Sequence, residues 1–362
     1  MRKRAARFRS SLILLAVAAI PMLFAAAAGN ATGAAAEPLS PCNSGNPPGF
    51  QLESTIAFSS TRDNPTGVPV ADASEIYLMR PDGTDLRRLT DNQSGDGFAA
   101  LSPDGKRIVF DSDRLSGQVN VSDLFLMNAD GSGQTFLTRG SSATWSPDCK
   151  QIAFHASASG TGTPIRTDPG SATSDSDIFV VNVDDLLAGT AAPVNITNSQ
   201  DLIDDDPDWS PDGQTIVYTA HPVTDDPRFS NLAEIYVRAA GGTGPPTRLT
   251  NNTEEERGPA WSPDGTRIVY ACRIGGGTAD FEICVMNADG SDPRQLTDNS
   301  VPDLTPTFSP DGQQIVFHRI NPPSAGGAQL WLMNADGSNQ TQLTLPPGIN
   351  LLAHWGQLRV KA

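Results

Sequence analysis

The chain has 362 residues, of which 41 are acidic and 25 are Lys or Arg, so its formal net charge is −16. This charge excludes nucleic acid and anionic lipid as expected partners, because both are bound through clusters of Lys and Arg. Gly (33) and Pro (29) are abundant, which favours short strands joined by tight turns. Only residues 184–187 and a few similar fragments suggest a helical turn.

The first 36 residues have the features of an export signal. Arg and Lys at positions 2–9 precede an apolar run over 12–28, and small residues follow. We expect cleavage after Ala28 or Ala36, with an uncleaved anchor as the alternative. Loss of residues 1–36 removes five basic and no acidic residues, leaving 20 against 41 and a net charge of −21. The prediction is an extracytoplasmic protein (periplasmic, cell-surface or secreted) without membrane insertion after cleavage.

A turn sequence, Ser-Pro-Asp followed by Gly or Cys, recurs five times. Each copy follows a large apolar anchor residue, and a sixth anchor stands near the C-terminus; the anchors are Leu101, Trp145, Trp209, Trp261, Phe308 and Trp355. They are separated by 44, 64, 52, 47 and 47 residues. This period is typical of one propeller blade and is too long for a leucine-rich repeat.

Two strand-like runs follow each of the first five anchors, and a sixth pair precedes the first anchor. Both runs are rich in β-branched and aromatic residues at a period of two. The first begins at Ile56, Ile108, Ile152, Ile216, Ile268 and Ile315, and the second at Ile76, Leu124, Ile178, Ile235, Ile283 and Leu330. A last strand ends in Leu-Thr or Ile-Thr. We name the four strands A to D from the anchor outwards. Because one such sheet cannot cover both of its faces, the predicted fold is all-β, a six-bladed β-propeller of four-stranded antiparallel blades.

The two ends of the chain predict how the ring closes. The first repeat starts at strand B, and the last repeat stops at a strand A around Trp355. One blade must therefore be completed by both termini, with residues 354–360 paired as the inner strand beside 54–60. The predicted domains are the signal (1–36), a tail (37–53) and the propeller (54–362).

The repeated Ser-Pro-Asp-Gly, Ile-Val-Phe, Ile-Tyr-Leu-Met and Leu-Thr pattern resembles the Pro-Asp type of WD-like repeat found in TolB-type propellers. The resemblance covers roughly residues 54–360. It implies the propeller fold and, by analogy with the Tol-Pal envelope system, a periplasmic role in protein binding. We find no Gly-x-Ser-x-Gly nucleophile motif, and we predict no catalytic residue.

Acidic residues gather before three anchors, where strand D leads into the next strand A. They are Asp204, Asp205, Asp206, Asp208, Glu254, Glu255, Glu256 and Asp303. In a propeller these segments and the B–C loops meet at the channel mouth, and long loops on a rigid scaffold favour recognition. We predict that these residues bind a basic or neutral protein or peptide, with solvated loop charges as the alternative. We expect a monomer without a cofactor.

Histidine gives the one indication of an enzyme. His155 and His318 occupy the same repeat position, directly after the aromatic residue of strand B, and His221 lies near another strand end. Related propeller lyases that act on uronates bind a metal through channel histidines, so a metal-dependent carbohydrate lyase or hydrolase is the alternative function. Since the three residues lack a recognisable ligand spacing, we favour a binding protein over an enzyme.

Four cysteines are consistent with export, because disulfides persist outside the cytoplasm. Cys272 and Cys284 fall in strands B and C of one blade. A register that sets Ala271 opposite Val285 makes the two cysteines direct neighbours, so we predict a bridge between them. Cys149 replaces a turn glycine and could pair with Cys42 in the tail; two separate thiols are the alternative.

Overall fold

A computed structural model describes residues 49–63, 74–115, 122–158, 164–165, 176–199, 201–222, 232–273, 280–322, 324 and 326–361. The predicted export signal, most of the tail and Cys42 lie outside these residues. The described chain forms six antiparallel sheets, five with four strands and one with a fifth short strand. Their inner strands contact one another in ring order and line one channel. The predicted six-bladed β-propeller is confirmed.

The strands of the six blades follow the predicted A to D order. Strands A, for blades 1 to 6, are β25 (Asn350–Lys361), β4 (Asp96–Leu101), β8 (Ser141–Trp145), β13 (Leu202–Trp209), β17 (Glu256–Trp261) and β21 (Asp303–Phe308). Strands B are β1 (Phe50–Ser60), β5 (Arg107–Ser112), β9 (Gln151–Ala158), β14 (Thr215–Pro222), β18 (Arg267–Arg273) and β22 (Gln314–Ile320). Strands C are β2 (Glu75–Met79), β6 (Asp123–Asn128), β11 (Ser176–Asn182), β15 (Glu234–Ala239), β19 (Phe281–Asn287) and β23 (Ala328–Asn334). Strands D are β3 (Arg87–Arg88), β7 (Thr135–Arg139), β12 (Val194–Asn195), β16 (Thr247–Arg248), β20 (Arg294–Gln295) and β24 (Thr341–Gln342), and β10 (Pro164–Ile165) joins blade 3.

The Ile-Val-Phe motif of strand B supplies both faces of a blade. In β5, Ile108 and Phe110 pack into the core between blades 1 and 2, whereas Val109 packs into the core between blades 2 and 3. All three side chains are fully buried. Successive side chains of the strand point to opposite faces of the sheet and pack against different neighbouring blades. The motif is therefore apolar at every position.

The Ser-Pro-Asp-Gly turn fixes the A–B hairpin through local hydrogen bonds. Ser102 accepts a bond from the Arg107 backbone nitrogen (2.9 Å) and donates to Asp104 (2.8 Å). Gly105 has a φ of +67°, and a Cβ there would lie 2.5 Å from the nitrogen of Arg359. Glycine is required here because the backbone is left-handed and strand β25 passes directly against the turn.

The chain termini close the ring as predicted. Strand β25 pairs with β1 along nearly its whole length, with Trp355 opposite Ile56. The Trp355 ring is buried, and its Nε1 donates to the hydroxyl of Ser54 (2.8 Å). Both strands begin four residues before the predicted pairing, at Phe50 and Asn350. Blade 1 thus owes its inner strand to the C-terminus.

Cys272 and Cys284 form the predicted disulfide, but the predicted register is wrong by two residues. Ala271 lies opposite Ile283, so the cysteines are diagonal neighbours rather than a direct pair. A shift of two keeps every side chain on its original face, which is why the bridge survives the error. Cys149 is buried, and its pairing with Cys42 stays a prediction.

Blade 3 replaces the C–D turn with the short helix α1 (Val183–Leu187), capped by the side chain of Asn182. Asp184 in this helix accepts a bond of 2.8 Å from Arg107 of blade 2. The buried Arg107 guanidinium also lies 4.9 Å from the Trp145 ring centre. The expected helical turn is therefore present and joins two blades. In the described part of the chain no helix is long and apolar enough to cross a membrane.

Candidate binding site at the channel mouth

Each of the six inner strands has a β-bulge where it faces the channel. The pairing with strand B shifts by one residue at every one of these points. The bulges place one residue per blade at a φ between 46° and 55°: Phe98, Ser142, Asp206, Gly258, Thr305 and Leu352. A positive φ costs a residue other than glycine about 1 kcal/mol or more. Such strain persists where surrounding structure enforces it, and it is frequent at functional sites.

The six bulge residues surround a cavity of about 140 Å³. The two residues that follow each of them complete its wall and are mostly Ala, Pro or Thr. Asp206, Asp208 and His354 are the ionisable residues of this lining. The channel wall is therefore largely uncharged, with two carboxyl groups concentrated in blade 4.

Asp208 and His354 bind backbone groups on the free edges of neighbouring inner strands. Asp208 accepts a bond of 2.8 Å from the Trp261 nitrogen, and Nδ1 of His354 accepts one of 3.4 Å from the Leu101 nitrogen. Burial raises the pKa of Asp208 to about 6 and lowers that of His354 to about 4. His354 is consequently neutral at pH 7, as its acceptor role requires.

A second cavity of about 240 Å³ lies beside the first and shares Phe98, Ser142 and Asp206 with it. Asp205 stands here between two histidines, 3.4 Å from Nε2 of His221 and 3.9 Å from Nδ1 of His155. Burial raises the pKa of Asp205, but the bond from His221 and the charge of His155 outweigh it and hold the pKa below its usual value. Asp205 is thus an anion at neutral pH.

Asp111 in blade 2 bonds two residues that line the second cavity, and the sequence analysis did not select it. It accepts bonds from the Ser141 hydroxyl and from the Ser142 nitrogen (3.2 Å). Burial raises its pKa to about 8. Its repeat position could have identified it, because Asp111 directly follows the aromatic residue of strand B, as His155 and His318 do. We call Asp111, His155, Asp205, Asp206 and His221 the mouth cluster.

Residues 170–359, more than half of the chain, match the family model of the TolB beta propeller domain. The chain belongs to this TolB propeller family. TolB from Acinetobacter baumannii has a similar fold (TM-score 0.63, 18% identity), with 84% of this chain and 66% of that chain covered. A TolB-like protein from Agrobacterium tumefaciens gives a TM-score of 0.57 and 19% identity, with 86% and 100% covered. An oligogalacturonate lyase from Vibrio parahaemolyticus gives 0.50 and 12%, with 81% and 84% covered.

At these identities the structural likeness to the TolB proteins shows the fold alone. The chain also spans just under two thirds of the length of the Acinetobacter baumannii protein. What the TolB-type propeller of this chain binds must therefore be argued from its own residues.

The TolB-type propeller brings together three of the eight predicted partner-binding acids: Asp208 borders the first cavity, Asp205 the second and Asp206 both. These acids lie in the inner strand β13 rather than in the predicted loop. The prediction placed them in a loop because it assumed that strand A starts after the bulge, whereas β13 continues through the bulge at Asp206. The partner-binding role of these three acids stays a prediction.

The other five predicted acids occupy different surroundings. Asp204, Glu256 and Asp303 are at most 3% exposed and lie in the junctions between blades. Glu255 is equally buried and pairs with Arg257 and Arg273, whereas Glu254 stays partly exposed. Only Glu254 among these five presents a partly exposed side chain.

The candidate metal ligands are divided between two regions of the TolB-type propeller. His155 and His221 flank Asp205, while His318 of blade 6 is buried and bonded to the Thr305 hydroxyl (2.6 Å). Burial lowers the pKa of His318 to about 4. Within the described ranges no group of three or more His, Cys, Asp or Glu is arranged to hold a metal ion. The metal role of the histidines stays a prediction.

Proposed function

We propose that this TolB-type propeller is an exported scaffold that binds a protein or peptide at its channel mouth and catalyses no reaction. The observation that carries the proposal is the position of Asp206. Its carboxyl group borders both cavities, and it extends from a strained bulge that only surrounding structure can maintain. Burial and the neighbouring Asp205 raise the pKa of Asp206. The site thus presents a carboxyl group beside an uncharged hollow, which suits recognition of a chain segment.

The charge of Asp205 in the mouth cluster favours a basic group on the partner. Asp205 is ionised and 25% exposed, while His155 and His221 are 14% and 17% exposed. Phe98 lines both cavities and supplies apolar surface beside these charges. A Lys or Arg side chain or an N-terminal ammonium would lie against Asp205 and Asp206, with its aliphatic part on Phe98.

Two features of the chain support an extracytoplasmic location. The Cys272–Cys284 bridge is expected in an oxidising compartment. The apolar run behind the basic N-terminus has the pattern of an export signal. Membership of the TolB propeller family supports the same location.

The charge at the channel mouth is less consistent with the alternative function, a metal-dependent carbohydrate lyase or hydrolase. Its polyuronate substrate carries a carboxylate on each sugar. Asp205 is an anion and borders the cavity that such a chain would enter. Like charges repel, so the mouth favours cationic over anionic ligands.

Photo-crosslinking from the mouth tests the proposed function. A photoreactive residue is placed at Ser142, which lines both cavities, and in a matched variant at Gln214, an exposed residue of an A–B turn. Irradiation of exporting cells should give a discrete adduct from position 142 and none from position 214. This adduct should fade when Asp205 and Asp206 are both changed to Asn. Equal adducts from both positions, or none from position 142, would contradict the proposal.

A further inference from the structure

Neighbouring blades are joined by a repeated buried polar network. An acid at the start of strand C and an acid at the start of the next strand A are bridged by an Asn of the D–A loop. Between blades 1 and 2, Nδ2 of Asn92 donates to Asp96 (2.7 Å) and to Glu75 (3.4 Å). Between blades 5 and 6, Asn299 donates in the same way to Asp303 (2.9 Å) and Glu282 (3.1 Å). Each junction therefore buries two carboxyl groups side by side.

At these two junctions an arginine balances the second carboxylate. Nη2 of Arg114 contacts both oxygens of Asp96 (3.1 and 2.9 Å). Arg319 binds Asp303 with two bonds of 2.7 Å. Where the ring closes, between blades 6 and 1, neutral Gln329 and Asn350 take the place of the acids and bond each other (2.9 Å). Opposite charge or neutral chemistry thus compensates the buried acids.

The junction between blades 4 and 5 keeps both acids, Glu234 and Glu256, but loses this arginine. Cys272 stands opposite Glu256 where Arg319 stands opposite Asp303. The disulfide fixes Cys272 in the core of blade 5, and the next residue along the chain, Arg273, turns to Glu255 instead (3.1 Å). The arginine that pairs with the acid of strand A in blade 6 therefore has no counterpart beside Glu256.

The available donors reach only one oxygen of each of these carboxyl groups. Oε1 of Glu234 accepts from Arg248 and from the Asn252 nitrogen (3.3 Å), and Oε1 of Glu256 accepts from Nδ2 of Asn252 (2.9 Å). Oε2 of each is buried without a donor among the described residues. Both side chains are at most 3% exposed, and Asn252 bonds both carboxyl groups, one through its backbone nitrogen and one through Nδ2, so they lie side by side.

We propose that Glu234 and Glu256 share one proton, which makes the junction between blades 4 and 5 a pH-sensitive contact of the ring. Two ionised carboxylates held side by side by one Asn repel each other, and each also buries an oxygen without a donor. A proton on one of them removes the repulsion and supplies a donor. The proton, together with Arg248, leaves the junction without net charge.

The surroundings of the pair agree with this assignment. Burial, together with a smaller effect of the neighbouring Glu234, raises the pKa of Glu256 to about 7. Arg248 from strand D binds Glu234, and the Tyr270 hydroxyl from β18 faces Glu256. Since the pKa of Glu256 in the folded chain exceeds its ordinary value, the junction is strongest at mildly acidic pH. Its contribution is lost as the pH rises through about 7.

Thermal unfolding of the wild-type chain and of Glu256→Gln tests the proposal. Gln keeps the shape and the acceptor oxygen but removes the titration. Between about pH 5.5 and pH 8.5 the wild-type midpoint should fall by roughly 4 °C more than that of the variant. Glu254→Gln, which removes the same charge from the same loop, should behave as the wild type. An equal pH dependence in wild type and Glu256→Gln would overturn the proposal.

A second variant and a calcium control complete this experiment. If Glu256→Gln does not fold, Glu234→Gln takes its place, because its amide oxygen still accepts from Arg248 and Asn252 and the same reduced pH dependence is expected. Calcium chloride added at about pH 8.5 distinguishes a proton from a metal ion. An unchanged wild-type midpoint supports the shared proton. A rise that Glu256→Gln abolishes would overturn it in favour of a cation site.

Discussion

The carboxyl group of Asp208 in blade 4 accepts a hydrogen bond of 2.8 Å from the backbone nitrogen of Trp261 in blade 5. Its other oxygen accepts one of 3.1 Å from the Thr144 hydroxyl in blade 3. A single side chain at the channel wall therefore connects three consecutive blades. The bond to Trp261 matters because an inner strand has no further strand to pair with, so its free backbone groups need partners from the neighbouring blade.

Replacement of Asp208 should weaken the ring in a pH-dependent way. At about pH 5 the group is protonated, and Asp208→Ala should lower the free energy of unfolding by about 2 kcal/mol through loss of two hydrogen bonds. Above about pH 6 the wild type must bury a charge. Asp208→Asn, which removes that charge, should therefore cost less at pH 8 than at pH 5. Urea unfolding at both pH values measures this, and equal costs would show that the charge is not buried.

The stability of the whole propeller should rise as the pH falls from about 8.5 to 6.5. Burial raises the pKa of Asp111 to about 8, of Asp204 to about 7 and of Asp208 to about 6. Folding therefore favours their protonated forms, and their contribution is lost as the pH rises through these values. The lowered pKa values of His318 and His354 oppose this below pH 6.5, because folding keeps both rings neutral. Circular dichroism melts at constant ionic strength should show a steep rise that flattens below pH 6.5. A midpoint that increases with pH above 6.5 would contradict it.

Removal of residues 354–362 should open the ring. The deletion takes away buried Trp355 and Leu358 and eight of the ten residue pairs of the β1–β25 ladder. We expect a loss of more than about 5 kcal/mol, or a fall in the melting midpoint of roughly 10 °C or more. Deletion of residues 361–362 alone is the control and should change little, since Lys361 is exposed. An unchanged melt of the longer deletion would show that the termini do not close the blade.

The Cys272–Cys284 bridge should stabilise blade 5 and resist reduction in the folded protein. The bridged residues are 12 apart, and closing a loop of this size contributes about 3 kcal/mol. A double change of both cysteines to Ala should lower the free energy of unfolding by that amount in urea. Both sulfurs are buried, so dithiothreitol should reduce the bridge only after unfolding. Non-reduced peptide mapping that finds no Cys272–Cys284 peptide would refute the bridge.

Sequence reasoning predicted the parts of the fold that depend on periodicity. Six repeats of alternating strands, five of them with the same A–B turn, leave a closed ring of blades as the arrangement that buries both faces of every sheet. The position of Trp355 predicted the closing strand because a strand A without its own strand B needs a partner elsewhere. These inferences rest on pattern, and small errors in register leave them intact.

The site was less accessible to sequence reasoning because it depends on single-residue irregularities. Asp204 and Asp206 are two apart in the chain, but the bulge at Asp206 places them in different surroundings, a blade junction and the channel. Acidic character alone therefore did not separate junction acids from mouth acids. The Pro in Asp206-Pro207, Gly258-Pro259 and Thr305-Pro306 was the available signal, since Pro within a strand marks a bulge or an edge.

If the mouth cluster binds a partner through Asp205 and Asp206, removal of their charge should weaken the complex. Calorimetric titration of the purified chain with the protein crosslinked at position 142 tests it most directly. A variant with both residues changed to Asn is compared with one in which Asp212 and Asp264, on the A–B turns, are changed to Asn. We predict that the mouth variant binds at least about tenfold more weakly and that the turn variant binds as the wild type does. Equal affinity of both variants and the wild type would contradict the claim.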